Sequence, residues 1–484
     1  MKKLNLIYVV GLLFFFGSCD DAIEIDQPGR LPAEQAYENV NDLELGLTGV
    51  YAQFDLNPEI YFTTIWTDEV SIDAPENGGQ GQSDYGFVLN PSSAGPAVIW
   101  TSNYAAINAV NRVIEGAQVI EPSEGQQEKY NSILGQAYAL RAFFYFQLQS
   151  YFTTDYADDS ALGVPLVDYV PTINDEAVLR STNGEIFAFI KDDLNKAEDL
   201  LVEESNATFV SQDFVTALRA RMAAYRENYP DAATYASELL EDYAIADSLE
   251  YENIWEDEGN TEIIFELERT IGDNYDQQGA SGSPAGAGYV GVNWAFTGPG
   301  PDGGVYYVMS QSLLNELNPA DVRFNVLLHP ESTTEVPVID KYSGSESQPL
   351  MNDLKVFRAS EMLLILAEAY VAMDRLEDAA ALIKQLRDLR FGIDTVLPVF
   401  ANKAEGFGAI LDERRIELAY EGHRYKDLKR LGERGNRGIE RAPADCAVNN
   451  ACSLDVTDYR FTFPIPIVEL TATPELRDQQ NPGY

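Results

Sequence analysis

The sequence predicts a mainly α fold of antiparallel helix pairs, interrupted by long irregular loops and a few short strands. Three observations lead there. Nine segments carry apolar residues at helical spacing, strand-like stretches are few and short, and one small-residue helix pair occurs twice. The helical segments are 33–54, 99–117, 126–152, 184–202, 213–228, 232–242, 355–373, 376–390 and 408–431, and the strand-like ones are 262–267, 305–309 and 461–465. Ala139-Leu140-Arg141-Ala142 recurs as Ala217-Leu218-Arg219-Ala220. The stretch 220–233 aligns with 367–380, each a small-residue helix, a short turn, then Asp-Ala-Ala opening the next helix.

Small residues at these spacings let two helices approach closely, in a pattern similar to tetratricopeptide pairs that stack to bury a shared core. Helix 126–152 carries Phe143, Phe144, Tyr145, Phe146, Tyr151 and Phe152, which helical burial explains as core.

The N-terminus sets the compartment. Lys2 and Lys3 precede an apolar run to Phe16, and Gly17-Ser18-Cys19 follows. This is the pattern of a secretory signal. The run is too short for a permanent membrane span. A cysteine directly after small residues reads as a lipobox, with Cys19 acylated and serving as the anchor; an ordinary signal with an incidental cysteine is the alternative. The expected organisation is a signal over 1–18, an acylated cysteine and polar tether over 19–32, and a single helical domain over 33–484.

With 33 basic against 78 acidic residues the formal charge is −45, which repels nucleic acid and excludes that class of partner. The acids are spread along the chain, a distribution that favours solubility over a dedicated acidic arm. Outside the cytoplasm, Cys446 and Cys452 read as a disulfide closing a small loop. A metal site is the alternative, with only the distant His423 to supply a ligand.

Two long loops interrupt the helices. Segments 57–96 and 272–304 mix Gly, Asn, Ser, Pro and Asp with tyrosine and tryptophan. Long loops inside a domain are commonly functional, and the aromatic content argues against disorder.

Several stretches, in order, then carry a resemblance. They are Gly17-Ser18-Cys19-Asp20-Asp21, Leu45-x3-Gly49-Val50-Tyr51, Trp100-x3-Tyr104-x2-Ile107-x3-Asn111, and Arg141-Ala142-Phe143-x-Tyr145 with Gly163-Val164-Pro165-Leu166. Glu262-Ile263-Ile264-Phe265-Glu266 follows, then Glu413-Arg414-Arg415-x-Glu417 with Glu421-Gly422-His423-Arg424 and Leu428. Phe463-Pro464-Ile465-Pro466 and Asn481-Pro482-Gly483-Tyr484 close the chain. With these motifs the chain resembles the RagB/SusD family of outer-membrane nutrient-uptake lipoproteins of Bacteroidetes. The resemblance implies an α-superhelix of tetratricopeptide-like pairs whose irregular loops bind ligand. It also implies a cell-surface lipid anchor and a partner, a TonB-dependent SusC-like transporter that receives the captured oligo- or polysaccharide. An insertion at 155–161, before Gly163-Val164-Pro165, departs from the pattern.

Glycan capture needs aromatic faces for sugar C–H groups and neighbouring polar groups for hydroxyls. The candidate platform is Trp294 with Asn293, Tyr289 and Tyr306; Trp66 with Asp68, Tyr85, and Trp100 with Asn103 follow, each alternatively a packing residue. Trp255 reads as packing. The Glu413–Arg424 acids and bases read as a structural network pairing among themselves at helical spacing. No cofactor is expected: Gly286-x-Gly288-x-x-Gly291 lacks a flanking strand and helix, and there is neither a phosphate loop nor a serine elbow. Two histidines, His329 and His423, are too few for a triad or a His-x3-His zinc site. Calcium on Asp155, Asp158 and Asp159 is a further option. The competing functions are peptide uptake and glycoside hydrolysis, the latter needing only two carboxylates.

Overall fold

A computed structural model describes residues 36–172, 174–202, 207–272, 288–294 and 304–484. The expected signal, Cys19 and the tether lie outside the described residues, as does most of segment 272–304. Helices of eight or more residues are α1 (Val40–Tyr51), α2 (Asn57–Trp66), α3 (Ala94–Ala117), α4 (Gln127–Phe152), α5 (Asn183–Leu200) and α6 (Gln212–Tyr225). They continue with α7 (Tyr229–Asp242), α8 (Ser248–Trp255), α9 (Ala359–Ala372), α10 (Leu376–Phe391), α11 (Lys403–Glu417) and α12 (Arg424–Gly435).

Local chemistry sets their ends. Asn39, Thr182 and Asp247 cap α1, α5 and α8 in reciprocal boxes with Asp42, Glu185 and Glu250. Gly392 closes α10 in the left-handed conformation that glycine adopts without cost. Helix α4 is buried without a break from Ala139 to Phe152, so it runs through the core rather than along its surface. Its neighbours α3 and α5 pack along it, while α6–α7, α9–α10 and α11–α12 form further pairs and α7 packs against α9.

The sequence repeat is a structural one. In α6–α7 the turn places Glu227 at φ 56°, and in α9–α10 Asp374 stands at φ 62°. Asn228 N–H donates to Ala223 O at 2.9 Å, and Arg375 N–H to Tyr370 O at 2.8 Å, at matching positions of the two copies. The same backbone turn thus folds each helix onto its partner.

Five expectations are corrected. Segment 355–373 is not all helix: Leu354–Arg358 is a strand paired antiparallel with Ile263–Leu267, and α9 starts at Ala359. Segment 408–431 is broken between α11 and α12, where Tyr420 and Gly422 take positive φ. There the Lys341 ammonium binds the freed carbonyl of Ala419 at 2.8 Å. Segment 57–96 is no single loop, because Pro58 in the first turn and the apolar face that follows form α2. Of 305–309, Val308–Met309 forms a short strand, paired with Val70–Ser71, and Val305 is bridged separately. Segment 461–465 is not a strand: Tyr459–Phe461 is a 3-10 turn, and Pro464 has no amide for a ladder.

Candidate functional site: an aromatic groove on α3

The nine residues expected to hold ligand are all buried. Trp66 ends α2, stacks on Phe62 at 5.6 Å and meets Phe87 edge-on. Trp294 packs on Tyr420 and Tyr307 at 5.6 and 6.4 Å. Asn293 bonds the Asn57 side chain, Tyr289 donates to Thr270 O at 3.0 Å, and the Tyr306 carbonyl accepts from Asn77 at 2.8 Å. Tyr85 lies under the Arg441 guanidinium, 3.5 Å from its ring centre, and donates to Asp445 O. Asp68 is clasped by Arg424 through two 2.8 Å bonds. Burial pushes its carboxyl up, yet Arg415 and Arg424 hold it at about 2. Asn103 donates to Ile99 O at 2.8 Å within its own helix.

These placements correct the expectation of an open platform. A ring enclosed on both faces offers a sugar nothing to stack on, and a carboxylate clasped by two arginines has no acceptor to spare. The misleading signal was composition. Phe62 and Trp66 sit four apart just after a proline, which is the spacing of a buried helix face.

Trp100 is the partial exception. It meets Phe152 edge-on at 4.8 Å, donates to Glu469 at 3.2 Å, and lines an open groove. Trp100, Tyr104, Asn108 and Asn111 recur every three or four residues and so form one stripe of α3. The opposite wall is the segment from Pro165 through Tyr169 to Thr172. Tyr104 Oη donates to Pro165 O at 2.7 Å, and Asn111 Nδ2 donates to Val167 O and Tyr169 O at 3.0 and 2.9 Å. Arg141, paired with Asp193, holds Asn111 in turn at 2.9 Å.

Both walls are therefore fixed by partly buried hydrogen bonds, enclosing about 420 Å³. The lining is mostly apolar, with half-buried Tyr104 and Tyr169 contributing rings. Asn108 Oδ1 is buried there without a hydrogen-bond partner. Asp175, Glu176 and Glu469 supply carboxylates, and among the described residues no lysine or arginine lines the groove. Such a lining suits a neutral, hydroxyl-rich ligand with apolar faces. Tyr104 and Asn111 belong to a motif visible in the sequence; their four- and three-residue spacing was the signal that could have placed them with Asn108 in the site.

A second cleft, of about 490 Å³, lies at the end of α4. Its Lys429 ammonium binds Ser150 O and Thr153 O at 3.2 and 2.7 Å, capping α4, and burial lowers it to about 7. Arg434 pairs with Glu227 at 3.1 Å and Arg430 with Asp427 at 3.0 Å. These cations already serve the fold.

The Glu413–Arg424 cluster is structural, but its partners correct the expected pairing. Glu413 binds Arg323 and Arg387 at 2.7 Å each, and Glu417 binds Arg390 and Arg358 at 2.8 and 3.1 Å. Glu421 binds Lys341 and Arg358 at 2.7 and 2.8 Å. The break after α11 destroys the helical register between Glu417, Glu421 and Arg424, so each turns inward to another element. Burial pushes Glu417 up, but Arg390 and Arg358 hold it well below the usual carboxylate range.

Cys446 and Cys452 are joined by a disulfide. Asp155 and Asp158 accept from the Ala157 and Ser160 amides at 2.8 Å, and Asp159 pairs with Arg226, so the three do not converge on a cation.

Glu69 gives a pH prediction. It is fully enclosed beside Asp68, accepts from Tyr420 N–H at 2.9 Å, and is raised by burial to about 7. The folded state thus keeps a proton that the unfolded chain releases above about pH 4.5. Stability is expected to fall as pH rises from about 4.5 to 7, by up to about 3 kcal/mol from this group. Urea midpoints at the two ends of that window check it: Glu69→Gln should flatten the difference.

A model described as "SusD family" matches residues 330–484, and one described as "Starch-binding associating with outer membrane" matches 38–225. SusD-like protein P2 of Formosa agariphila is 26% identical over the whole of both chains. A SusD superfamily protein of Bacteroides thetaiotaomicron superposes with a TM-score of 0.76 at 23% identity, covering 92% of this chain and 100% of that one. Surface glycan-binding protein A of Bacteroides fluxus gives 0.69 at 21% identity, covering 92% and 99%.

Proposed function

The chain belongs to the SusD/RagB family, and from that premise we propose that it captures neutral glycans at the cell surface without cleaving them. It holds them in the α3 groove and passes them to a TonB-dependent SusC-like transporter in the outer membrane, to which acylated Cys19 keeps it close. The observation that carries the site is the groove itself: two half-buried tyrosines and a buried Asn108 oxygen, with neither a partner for that oxygen nor a cation in the lining among the described residues. Sugar rings offer C–H faces to Tyr104 and Tyr169, and their hydroxyls donate to Asn108 and the carboxylates. An anionic chain would meet only acids there, on a protein that is itself strongly acidic. The matching starch-binding model and the glycan-binding neighbour support a carbohydrate ligand, with α-glucans first in any panel. No helix among the described residues is long and apolar enough to cross a membrane, and the attachment in this reading is the lipid on Cys19.

Binding without hydrolysis accords with the enclosure of Glu417, which Arg358 and Arg390 hold as part of a structural network. Native affinity electrophoresis of the mature body tests the reading. One neutral polysaccharide is expected to retard it and emerge uncut. Tyr169→Ala should weaken that binding about tenfold, the loss of one stacked ring worth about 1.4 kcal/mol. Shortened chains, or retardation by anionic glycans alone, would contradict it.

A further inference from the structure

The cleft of about 490 Å³ at the end of α4 holds more than the fold needs. Its walls come from α12, from the turn between α6 and α7, and from segments 154–157 and 456–462. The rings of Tyr156, Tyr225 and Tyr229 are buried against it. Tyr225 is 3% exposed, and among the described residues its Oη has no hydrogen-bond partner. Lys429 spends two of its three N–H donors on the Ser150 and Thr153 carbonyls. Exposed Glu433, one turn further along α12, brings an acceptor to the same face.

Tyr459 also lines the cleft and is 45% exposed. Its ring is held in place. Tyr484 meets it edge-on at 5.0 Å, and the Arg460 guanidinium lies 5.7 Å from its centre. The backbone of Gly483 comes so close to the ring that only a residue without a Cβ fits there. A ring already ordered costs a ligand less to engage than a mobile one.

The lining also narrows the ligand. Among the described residues three cations and four acids share it, so neither a polyanion nor a polycation is favoured. No strand lines the cleft among those residues, and a peptide backbone finds no ladder to join. Fixed rings beside a spare hydroxyl, an amine and a carboxylate suit a neutral, hydroxyl-rich chain.

We propose that this cleft is a second binding site for the captured polysaccharide. Tyr459 is its stacking ring, and Tyr225 Oη and Lys429 Nζ donate to sugar oxygens. The ligand class rests on the function proposed above; the site rests on the cleft. Phe152, which packs on Trp100 of the α3 groove, stands two residues before Thr154 of the cleft, so the two cavities flank one end of α4. A polymer held at both is retained more strongly than at either alone.

Hydrogen exchange of the full lipid-anchored chain in detergent tests this. Soluble starch, laminarin, galactomannan and arabinoxylan are added in turn, beside affinity electrophoresis with the same four. A polysaccharide that retards the chain is expected to slow exchange in peptides covering 153–157 and 456–462. The slowing should persist in Tyr169→Ala, where the α3 groove is weakened. Tyr459→Ala should weaken retardation about fivefold, the loss of one ring contact; the exchange readout on the parent stands whether or not that variant folds. Retardation without slowing in the cleft peptides would overturn the proposal and leave the groove intact, as would slowing that disappears in Tyr169→Ala. Slowing there by a tryptic digest of casein and by no polysaccharide would overturn it in favour of a peptide site. Retardation by none of the four would overturn both this proposal and the function it rests on.

Discussion

Glu417→Ala is expected to destabilise the fold by about 3–5 kcal/mol, the cost of removing one partner from a buried ionic network. Glu417 lies between Arg358 and Arg390, and a 3.3 Å contact adds Arg323. Arg390 reaches on to Glu262 at 3.1 Å, and Arg358 bonds Glu421 at 2.8 Å. Arg390 stands on α10, Glu417 on α11, Arg358 at the end of the strand Leu354–Arg358, Glu262 just before its partner strand and Arg323 on the short helix Val322–Leu327, so the network ties the C-terminal helices to the strands. With the carboxylate gone, three guanidinium groups share fewer acids in a region closed to water. The urea midpoint of the mature body measures the loss. Glu121→Ala, at an exposed position, should move it by less than about 0.5 kcal/mol. Equal, small shifts for both would mean that the cluster carries no stability.

Trp66→Ala is expected to cost about 3–5 kcal/mol through the cavity it leaves among Phe62, Phe87 and the surrounding core. It should not weaken glycan binding by the fraction that stays folded. Thermal denaturation and glycan retardation measured on the same preparation separate the two effects. A fold of unchanged stability with binding lost would return Trp66 to the ligand site.

How much was legible in the sequence depended on the range of the interaction. Helix α4 appears from residue 127 to 152 as its apolar pattern demands, because its partners are whole helix faces. The turn shared by α6–α7 and α9–α10 was visible as a repeat, since small residues and Asp-Ala-Ala stand at fixed spacing in both. Strand Leu354–Arg358 was read as helix because Val356 and Phe357 suit either element; Ile263–Leu267, ninety residues away, decides it. The inward turn of Glu417 and Glu421 depends on Lys341, Arg358 and Arg390, which local spacing could not identify. The burial of most ligand candidates has a related cause. Aromatic residues among glycines and asparagines suggest a surface, whereas Arg441 over Tyr85 and Arg424 on Asp68 draw those segments inward. In the groove, the spacing of Trp100, Tyr104, Asn108 and Asn111 was legible, but the facing segment with Tyr169 was not.

Hydrogen exchange of the mature body, with and without the glycan that retards it, tests the central claim most directly. Slowed exchange is predicted in peptides spanning 165–172 and 104–111, the two walls of the groove, and in Tyr169→Ala that slowing should largely vanish. Slowed exchange confined to 72–90 and 288–294, with both walls unchanged, would place the glycan elsewhere and contradict the account.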